Sequence, residues 1–142
     1  MIGEVLTLFS CKDINDIAAS GAVGWFRLST HRACACRHVV IYHNARDPRK
    51  PGDEALHRMP ILVGDISGVY VDPRDGRTAV AIRAIANVEG PSQSNPGRSP
   101  VSYAASDLVA ELRIGEWTSV AESVLKDAIS ERAAWDAAYP RP

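Results

Sequence analysis

The chain has 142 residues, 46% of them hydrophobic and 23% charged, which suits one folded domain and excludes a disordered or collagen-like protein. Sixteen lysines and arginines balance 17 acidic residues, so the chain has no overall positive charge to attract nucleic acid. No apolar run approaches the roughly 18 residues that cross a membrane, and we expect no membrane association.

The first 43 residues predict three strands and one helix. Residues 3–10 are β-branched and partly alternating, which indicates a first strand. Residues 12–20 have apolar side chains at helical spacing and end at Gly21, which is typical of a short helix and its stop. Residues 25–29 and 38–43 predict a second and a third strand.

The clearest local pattern predicts a β-hairpin. Residues 61–71 and 78–88 are rich in strand formers, and the connecting hexapeptide contains a proline and a glycine that favour a turn. Gly64 and Gly68 indicate bulges or tight bends in the outgoing strand. Alternation on the return strand predicts one shared face for Thr78, Val80, Ile82, Ala84, Ala86 and Val88.

The last third of the chain predicts helices. A loop rich in glycine, proline and serine covers residues 89–100, and Ser106 is placed to cap a helix over residues 107–112. A longer helix is expected from Glu116 to Ala138, with an apolar stripe of Trp117, Val120, Val124, Ala128, Trp135 and Tyr139. We therefore divide the chain into a barrel domain over residues 1–104 and helices over residues 105–142 that pack on it.

Charge is distributed unevenly along the chain. Residues 27–58 contain seven basic and three acidic side chains, a local charge of +4, together with all four histidines. Residues 103–139 contain three basic and seven acidic side chains, a local charge of −4. This division predicts a basic face opposite an acidic helical tail, although solvated helices are often acidic without any such role.

The cysteines and histidines do not predict a metal or catalytic site. His31, Cys34, Cys36 and His38 lack the paired spacing of a zinc site, so we expect no metal and thiols that lie buried or half-buried on a strand edge. A cysteine nucleophile would lack an identifiable orienting carboxylate. Without a glycine-rich phosphate loop, we expect no nucleotide cofactor. An odd cysteine count and a start without a basic signal segment predict a cytoplasmic location.

Aromatic, amide and cationic side chains follow the predicted strands. Aromatic faces stack on bases, arginine binds phosphate or a guanine edge, and asparagine reads amide edges. Thirteen arginines against three lysines suit planar recognition, although a GC-rich genome gives the same bias. For Trp25 taken alone, core packing is favoured over base stacking. The candidate base-binding residues are Trp25, Arg27, Thr30, Arg32, Tyr42, Asn44, Arg46, Arg98 and Tyr103.

Three segments carry a resemblance to a known family. Residues 24–32 (GWFRLSTHR), 39–44 (VVIYHN) and 59–69 (MPILVGDISGV) resemble the PUA-like barrels, especially their EVE and ASCH branches, over roughly residues 3–104. The resemblance implies a small, partly open β-barrel whose cleft accepts a nucleobase, often a modified one, in RNA or DNA. It further implies relatives in RNA modification and in bacterial genome defence. The residues it would place in the pocket are Trp25, Arg27, Thr30, Tyr42 and Asn44.

The sequence thus predicts an α+β fold: a small PUA-like, partly open barrel with an N-terminal β-α unit and a C-terminal helical extension. The favoured function is non-catalytic recognition of nucleic acid or a nucleobase. One alternative is a small interaction or inhibitor protein, such as a phage- or plasmid-encoded anti-defence protein, that binds a protein partner or dimerises through its C-terminal helix. The other is an ASCH-type hydrolase or ribonuclease, in which Thr30 acts with Glu4 or Asp65 in place of the family's lysine.

Overall fold

The computed structural model describes residues 3–93, 99–120 and 128–140, which form a mixed α+β protein around a curled, half-barrel sheet. The strands are β1 (Glu4–Ser10), β2 (Ala22–Phe26), β3 (His38–His43), β4 (Pro60–Val71), β5 (Thr78–Glu89), β6 (Val101–Ala105), β7 (Arg113–Ile114) and β8 (Thr118–Ser119). The helices are α1 (Ile14–Ser20), α2 (Thr30–Cys34) and α3 (Ala128–Ala138), with 3-10 turns at Glu54–Leu56 and Ser106–Glu111. No helix within these ranges is long and apolar enough to cross a membrane.

The strands are ordered β2-β5-β4-β3-β1-β6, and β7 and β8 pair with the far half of β5. Strands β1 and β3 are parallel neighbours, with Leu6 opposite Val39, and every other pair is antiparallel. The carboxyl ends of β1 and β3, at Ser10 and His43, therefore lie side by side at one edge of the sheet.

The predicted hairpin is confirmed as β4 and β5. Its turn is closed by the backbone of Asp72, which donates to the Arg77 carbonyl at 2.8 Å and accepts from Gly76 at 2.8 Å, with Gly76 at φ +74°. The register shifts between Asp65 and Gly68, where the glycine pattern predicts irregularity. At Gly64 a Cβ atom would lie 2.9 Å from Ile82, so close packing of the two strands requires glycine there.

The prediction of one continuous face along β5 is wrong beyond Ile82. In the register, Ala84 lies opposite Asp65 and Ile82 lies opposite Ile66, which leaves Arg83 unpaired as a bulge. Arg83 instead donates from Nη2 to the Ile66 carbonyl at 2.7 Å. Because a one-residue bulge reverses the alternation, Ile85 shares a cluster with Val80 and Ile82, whereas Ala86 and Val88 belong to the opposite one.

Both faces of the sheet are buried. On one face, side chains of β1, β3, β4 and β5 pack with Ile17 of α1, Ala33 of α2 and Phe26 of β2. On the other face, a second cluster of strand residues packs with Leu108 and Leu112, around the second 3-10 turn. The strands between two cores are held rigidly, so the ends of β1 and β3 are fixed positions for functional side chains.

Two of the N-terminal predictions have opposite outcomes. Helix α1 is confirmed: Asp13 caps it, Asp16 completes a capping box, and Gly21 ends it at φ +69°. The predicted second strand is present, but its bounds of 25–29 are wrong, because β2 covers Ala22–Phe26 and Ser29 instead caps α2. The Ser29 hydroxyl accepts the backbone N–H of Arg32 at 3.3 Å, which is the hydrogen bond that starts this helix.

The C-terminal helices also differ from the prediction. Residues 106–111 form a 3-10 turn without a side-chain cap, not a helix capped by Ser106. The long helix from Glu116 is wrong at its start, because Thr118–Ser119 is strand β8 on β5 and the Trp117 ring contacts His38 at 5.9 Å. Helix α3 begins only at Ala128 among the described residues, and Val124 lies outside them.

Candidate functional site

A cavity of about 270 Å³ opens where β1, β2 and β3 meet α3. We call it the strand-end cavity; its wall includes Phe9, Trp25, Asn44, Arg49, Arg132 and Trp135. The parallel pair β1 and β3 contributes the residues at and just beyond its carboxyl ends. This is where ligands bind in many proteins with parallel strands, because side chains of successive loops converge there.

One part of the strand-end cavity is aromatic. Trp25 and Phe26 come from the end of β2, Phe9 from β1 and Trp135 from α3. Trp25 is half-buried, and its ring packs edge-on against Tyr70 at 5.8 Å between centroids. Trp135 packs against Tyr139 of its own helix at 4.3 Å. The cavity therefore has indole surfaces from two separate elements.

A second part of the wall offers hydrogen-bond donors. The Asn44 backbone N–H donates to the Ser10 carbonyl at 2.8 Å, which joins the two strand ends. The Asn44 side-chain oxygen accepts the backbone N–H of Arg46 at 3.1 Å. Within the described ranges, the two N–H groups of the Asn44 amide have no hydrogen-bond acceptor. They are available to a carbonyl oxygen or ring nitrogen of a ligand.

The arginines of the wall are held by carboxylates of the protein. Arg49 contacts Asp47 at 3.1 Å, and Arg77 contacts Asp75 at 3.9 Å. Arg132 reaches Asp72 at 2.7 Å and Asp75 at 2.5 Å. The remaining cation, Lys12, places its Nζ 4.6 Å from the centre of the Trp135 ring. Positive charge at the cavity is thus largely compensated.

These ion pairs shift the pKa of their members. The hydrogen bond from Arg74, followed by others from backbone and Arg132, holds the pKa of Asp72 well below its usual range. Arg132 lowers the pKa of Asp75 to about 2, and Asp75 in turn raises the pKa of Arg132. All of these groups are therefore charged at neutral pH.

Cys11 also lies in the wall, and its environment suppresses thiolate formation. Burial, and then the negative charge of Asp47, raise the pKa of Cys11 to about 11. Burial likewise raises the pKa of Cys36, which follows α2, while Cys34 is exposed on that helix. The cysteines at 34 and 36 are thus not on a strand edge, and Cys11 remains a thiol at neutral pH.

The strand-end cavity brings together Trp25 and Asn44 of the nine residues singled out by sequence. Arg32 lies elsewhere, paired with Glu4 at 3.0 Å and stacked over Tyr103 at 3.9 Å. Arg46 is paired with Glu54 on the surface. These contacts separate both arginines from the two cavity residues.

The other five candidates are not among the described residues that line the strand-end cavity either. Arg27 is exposed just beyond β2, Thr30 is the first residue of α2, and Arg98 lies outside the described residues. Tyr42 is buried in the second core, and burial raises its pKa. With Tyr103 it lines a different cavity of about 470 Å³ beside β6.

Several residues of the strand-end cavity have no local sequence signal. Arg77, Arg132 and Trp135 come from the hairpin and from α3, far along the chain from the strand ends. Lys12 lies in the segment that leaves β1, and Asp47 and Arg49 lie in the loop that leaves β3, so a search of the loops after strands could have found them. Across the three described ranges, no three histidine, cysteine or acidic side chains are grouped as metal ligands.

Comparison with family models, with curated proteins and with solved structures finds no match for this chain. The strand-end cavity is therefore interpreted from its own geometry.

Proposed function

We propose that the protein binds nucleic acid by holding one nucleobase, modified or unmodified, in the strand-end cavity, without altering it chemically. The observation that carries this proposal is the combination of indole rings from two elements with the amide N–H groups of Asn44, which have no partner among the described residues. Aromatic faces bind any base by stacking, and amide donors read its carbonyl or ring nitrogen edge.

The size of the cavity supports a single ring system. Pockets for drug-sized ligands start at about 300 Å³, and the strand-end cavity, at about 270 Å³, is slightly smaller. One base fits this space better than a dinucleotide or a folded peptide. A base would have to leave its stack to enter, which is easiest in a single strand or at a damaged or mismatched position.

The charge distribution favours a neutral group inside the cavity and phosphates outside it. Arg49, Arg77 and Arg132 face protein carboxylates, so a phosphate would have to compete with Asp47, Asp72 or Asp75. Arg27, in contrast, is exposed and directly follows the cavity residue Phe26. We assign phosphate contacts to such surface arginines of the basic segment, residues 27–58.

Binding is favoured over catalysis because the wall holds no activated nucleophile among its described residues. The Cys11 thiol, which would be the natural candidate, has a pKa of about 11. The alternative of a protein partner needs the aromatic side chains of α3 to be exposed to that partner. Instead, Trp135 and Tyr139 contact Lys12 and Lys50 of the same chain.

The test is fluorescence anisotropy of dye-labelled single-stranded RNA and DNA, at low and physiological salt, with wild type and two tryptophan variants. Trp25→Leu should weaken binding roughly 5- to 100-fold, because stacking on one base contributes about 1–3 kcal/mol. Trp117→Leu is the matched control, since Trp117 lies outside the cavity and contacts His38. This variant should bind the labelled nucleic acid as tightly as wild type does.

A second variant examines the polar edge. Asn44→Asp keeps the oxygen that accepts from Arg46 but removes the N–H donors, so it should weaken binding about tenfold or more. Asn87→Asp, on the exposed side of β5, is its control. Equal affinities for wild type, Trp25→Leu and Asn44→Asp, or no binding of either nucleic acid at low salt, would refute the proposal.

A further inference from the structure

Helix α3 reaches the rest of the protein through polar and aromatic contacts. Neither core cluster contains one of its described side chains. Its contacts are the ion pairs of Arg132 and the packing of Trp135 and Tyr139 near the ammonium groups of Lys12 and Lys50. Since α3 supplies part of the cavity wall, the geometry of the wall depends on these contacts.

Among the described side chains of the helix, Arg132 makes the most hydrogen bonds to the rest of the protein. Its Nη1 donates to Asp72 at 2.7 Å and to Asp75 at 3.0 Å, and its Nη2 donates to Asp75 at 2.5 Å. Its guanidinium carbon lies 5.0 Å from the centre of the Trp25 ring, and its side chain is only 12% exposed. One planar group therefore contacts the β4–β5 turn, α3 and β2 together.

The β4–β5 turn, which Arg132 contacts, is held in place by its own hydrogen bonds. The Asp72 side chain is fully buried and accepts from both the backbone and the guanidinium of Arg74, while its backbone closes the turn. Asp72 and Asp75 themselves do not line the strand-end cavity. The residues of the cavity wall that they contact are Arg132 and Arg77.

We propose that Arg132 is a positioning residue of the strand-end cavity: it joins the β4–β5 turn to α3 and covers Trp25, and so holds Trp25 and Trp135 in place to receive the base. This inference rests on the proposed function. The bidentate contact needs the planar fork of arginine, which the single ammonium of lysine does not reproduce. The contact over the indole adds a cation–π attraction.

Binding is tested first, with a variant outside the cavity. Asp75→Asn removes the charge that holds Arg132, and it should weaken binding of labelled single-stranded RNA and of the four free nucleosides about three- to tenfold. Glu89→Gln is the matched control, because Glu89 is an exposed acid whose partner among the described residues is exposed Arg113, at 3.7 Å, and the variant should bind like wild type. Arg132→Lys should be as weak as Asp75→Asn, and wild-type affinity in both variants would overturn the inference.

The second readout needs no ligand. In protein labelled with ¹⁵N-tryptophan, Arg132→Met and Asp75→Asn should shift the indole N–H signals of Trp25 and Trp135 and leave that of Trp117 in place. Unmoved signals of Trp25 and Trp135 would overturn the positioning role even if affinity fell. Absence of any binding by wild type would instead refute the proposed function, while the indole shifts would still establish that Arg132 sets the cavity wall.

Discussion

Two histidines fix the loop that carries Asn44 and Arg49 to the strand-end cavity. His43 is buried, and a Cβ atom at position 52 would lie 2.5 Å from its Nε2, which explains the glycine there. Among the described residues its Nδ1 has no hydrogen-bond partner. His57 accepts the backbone N–H of Ala45 at Nδ1, at 3.2 Å, and protonation there would break this bond.

The pKa values of both histidines imply acid sensitivity. Burial lowers the pKa of His43 below its usual 6.5, with Lys50 and His57 adding to this effect and Asp13 opposing it. Burial likewise lowers the pKa of His57. Because the unfolded chain binds more protons than the folded one just below pH 6.5, the free energy of unfolding should fall as the pH drops through this range.

Urea denaturation between pH 5 and 8 checks this expectation. The unfolding midpoint of wild type should decrease below about pH 6.5, and His43→Gln should flatten that decrease. His31→Gln, on the exposed surface of α2, serves as the control and should keep the wild-type profile. Asp75, whose pKa is about 2, stays ionised across this range and so does not contribute to the decrease. A wild-type unfolding midpoint that stays constant from pH 5 to 8 would contradict the argument.

Residues at a strand end can be placed from the sequence. Trp25 lies one residue before the end of β2, Asn44 directly follows β3, and both line the strand-end cavity. Arg32 and Arg46 lie outside this cavity, where Glu4 and Glu54 pair with their charges. Which charged side chains pair depends on how the chain folds, and the spacing of residues in the sequence does not predict it.

At the scale of elements, β4 offers a matched pair of glycines. A Cβ atom at Gly64 would come within 2.9–3.1 Å of Ile82 and Val39. A Cβ atom at Gly68 would have no atom of the described residues beyond its chain neighbours within 4 Å. Gly64→Ala should therefore lower the free energy of unfolding by about 1–3 kcal/mol through overpacking of the core. Gly68→Ala should change it by less than about 0.5 kcal/mol, and urea denaturation that ranks them oppositely would contradict the packing argument.

The elements that sequence predicts correctly are those fixed by local chemistry. The cap and left-handed glycine of α1 and the turn of the β4–β5 hairpin act within a few residues. Strand β8 is different, because Trp117 and Thr118 belong to a segment whose helical spacing is equally good. The segment forms a strand because it pairs with Ala84 and Ile85 of β5. This pairing exists only in the folded sheet, so the local sequence does not predict it.

At the scale of the whole molecule, the two parts of the C-terminal segment contribute differently to stability. Leu112 and Ile114 belong to the second core, and β7 and β8 pair with β5. Described side chains of α3 are in neither core. A chain ending at residue 127 should keep most of its free energy of unfolding but lose ligand binding, because Arg132 and Trp135 are gone.

A chain ending at residue 105 should lose about 2–5 kcal/mol or fail to fold, because truncating a buried leucine alone costs that much. Calorimetry of both truncated chains, with sedimentation to follow their association, separates the two cases. Equal stability for the two would show that residues 106–119 are not part of the core. A wild-type dimer that becomes monomeric when α3 is removed would favour the protein-partner alternative.

The order of strands in the sheet has a consequence for how the protein is made. The β4–β5 hairpin pairs residues that are close along the chain, so it can form within microseconds, whereas the second edge of β1 is paired only by β6, whose Ser102 is 95 residues beyond Thr7. The strand-end cavity depends on a still longer span, from Phe9 to Asp136. During translation we expect the hairpin to be the first antiparallel strand pair to form and the strand-end cavity to be completed last, only once α3 has left the ribosome.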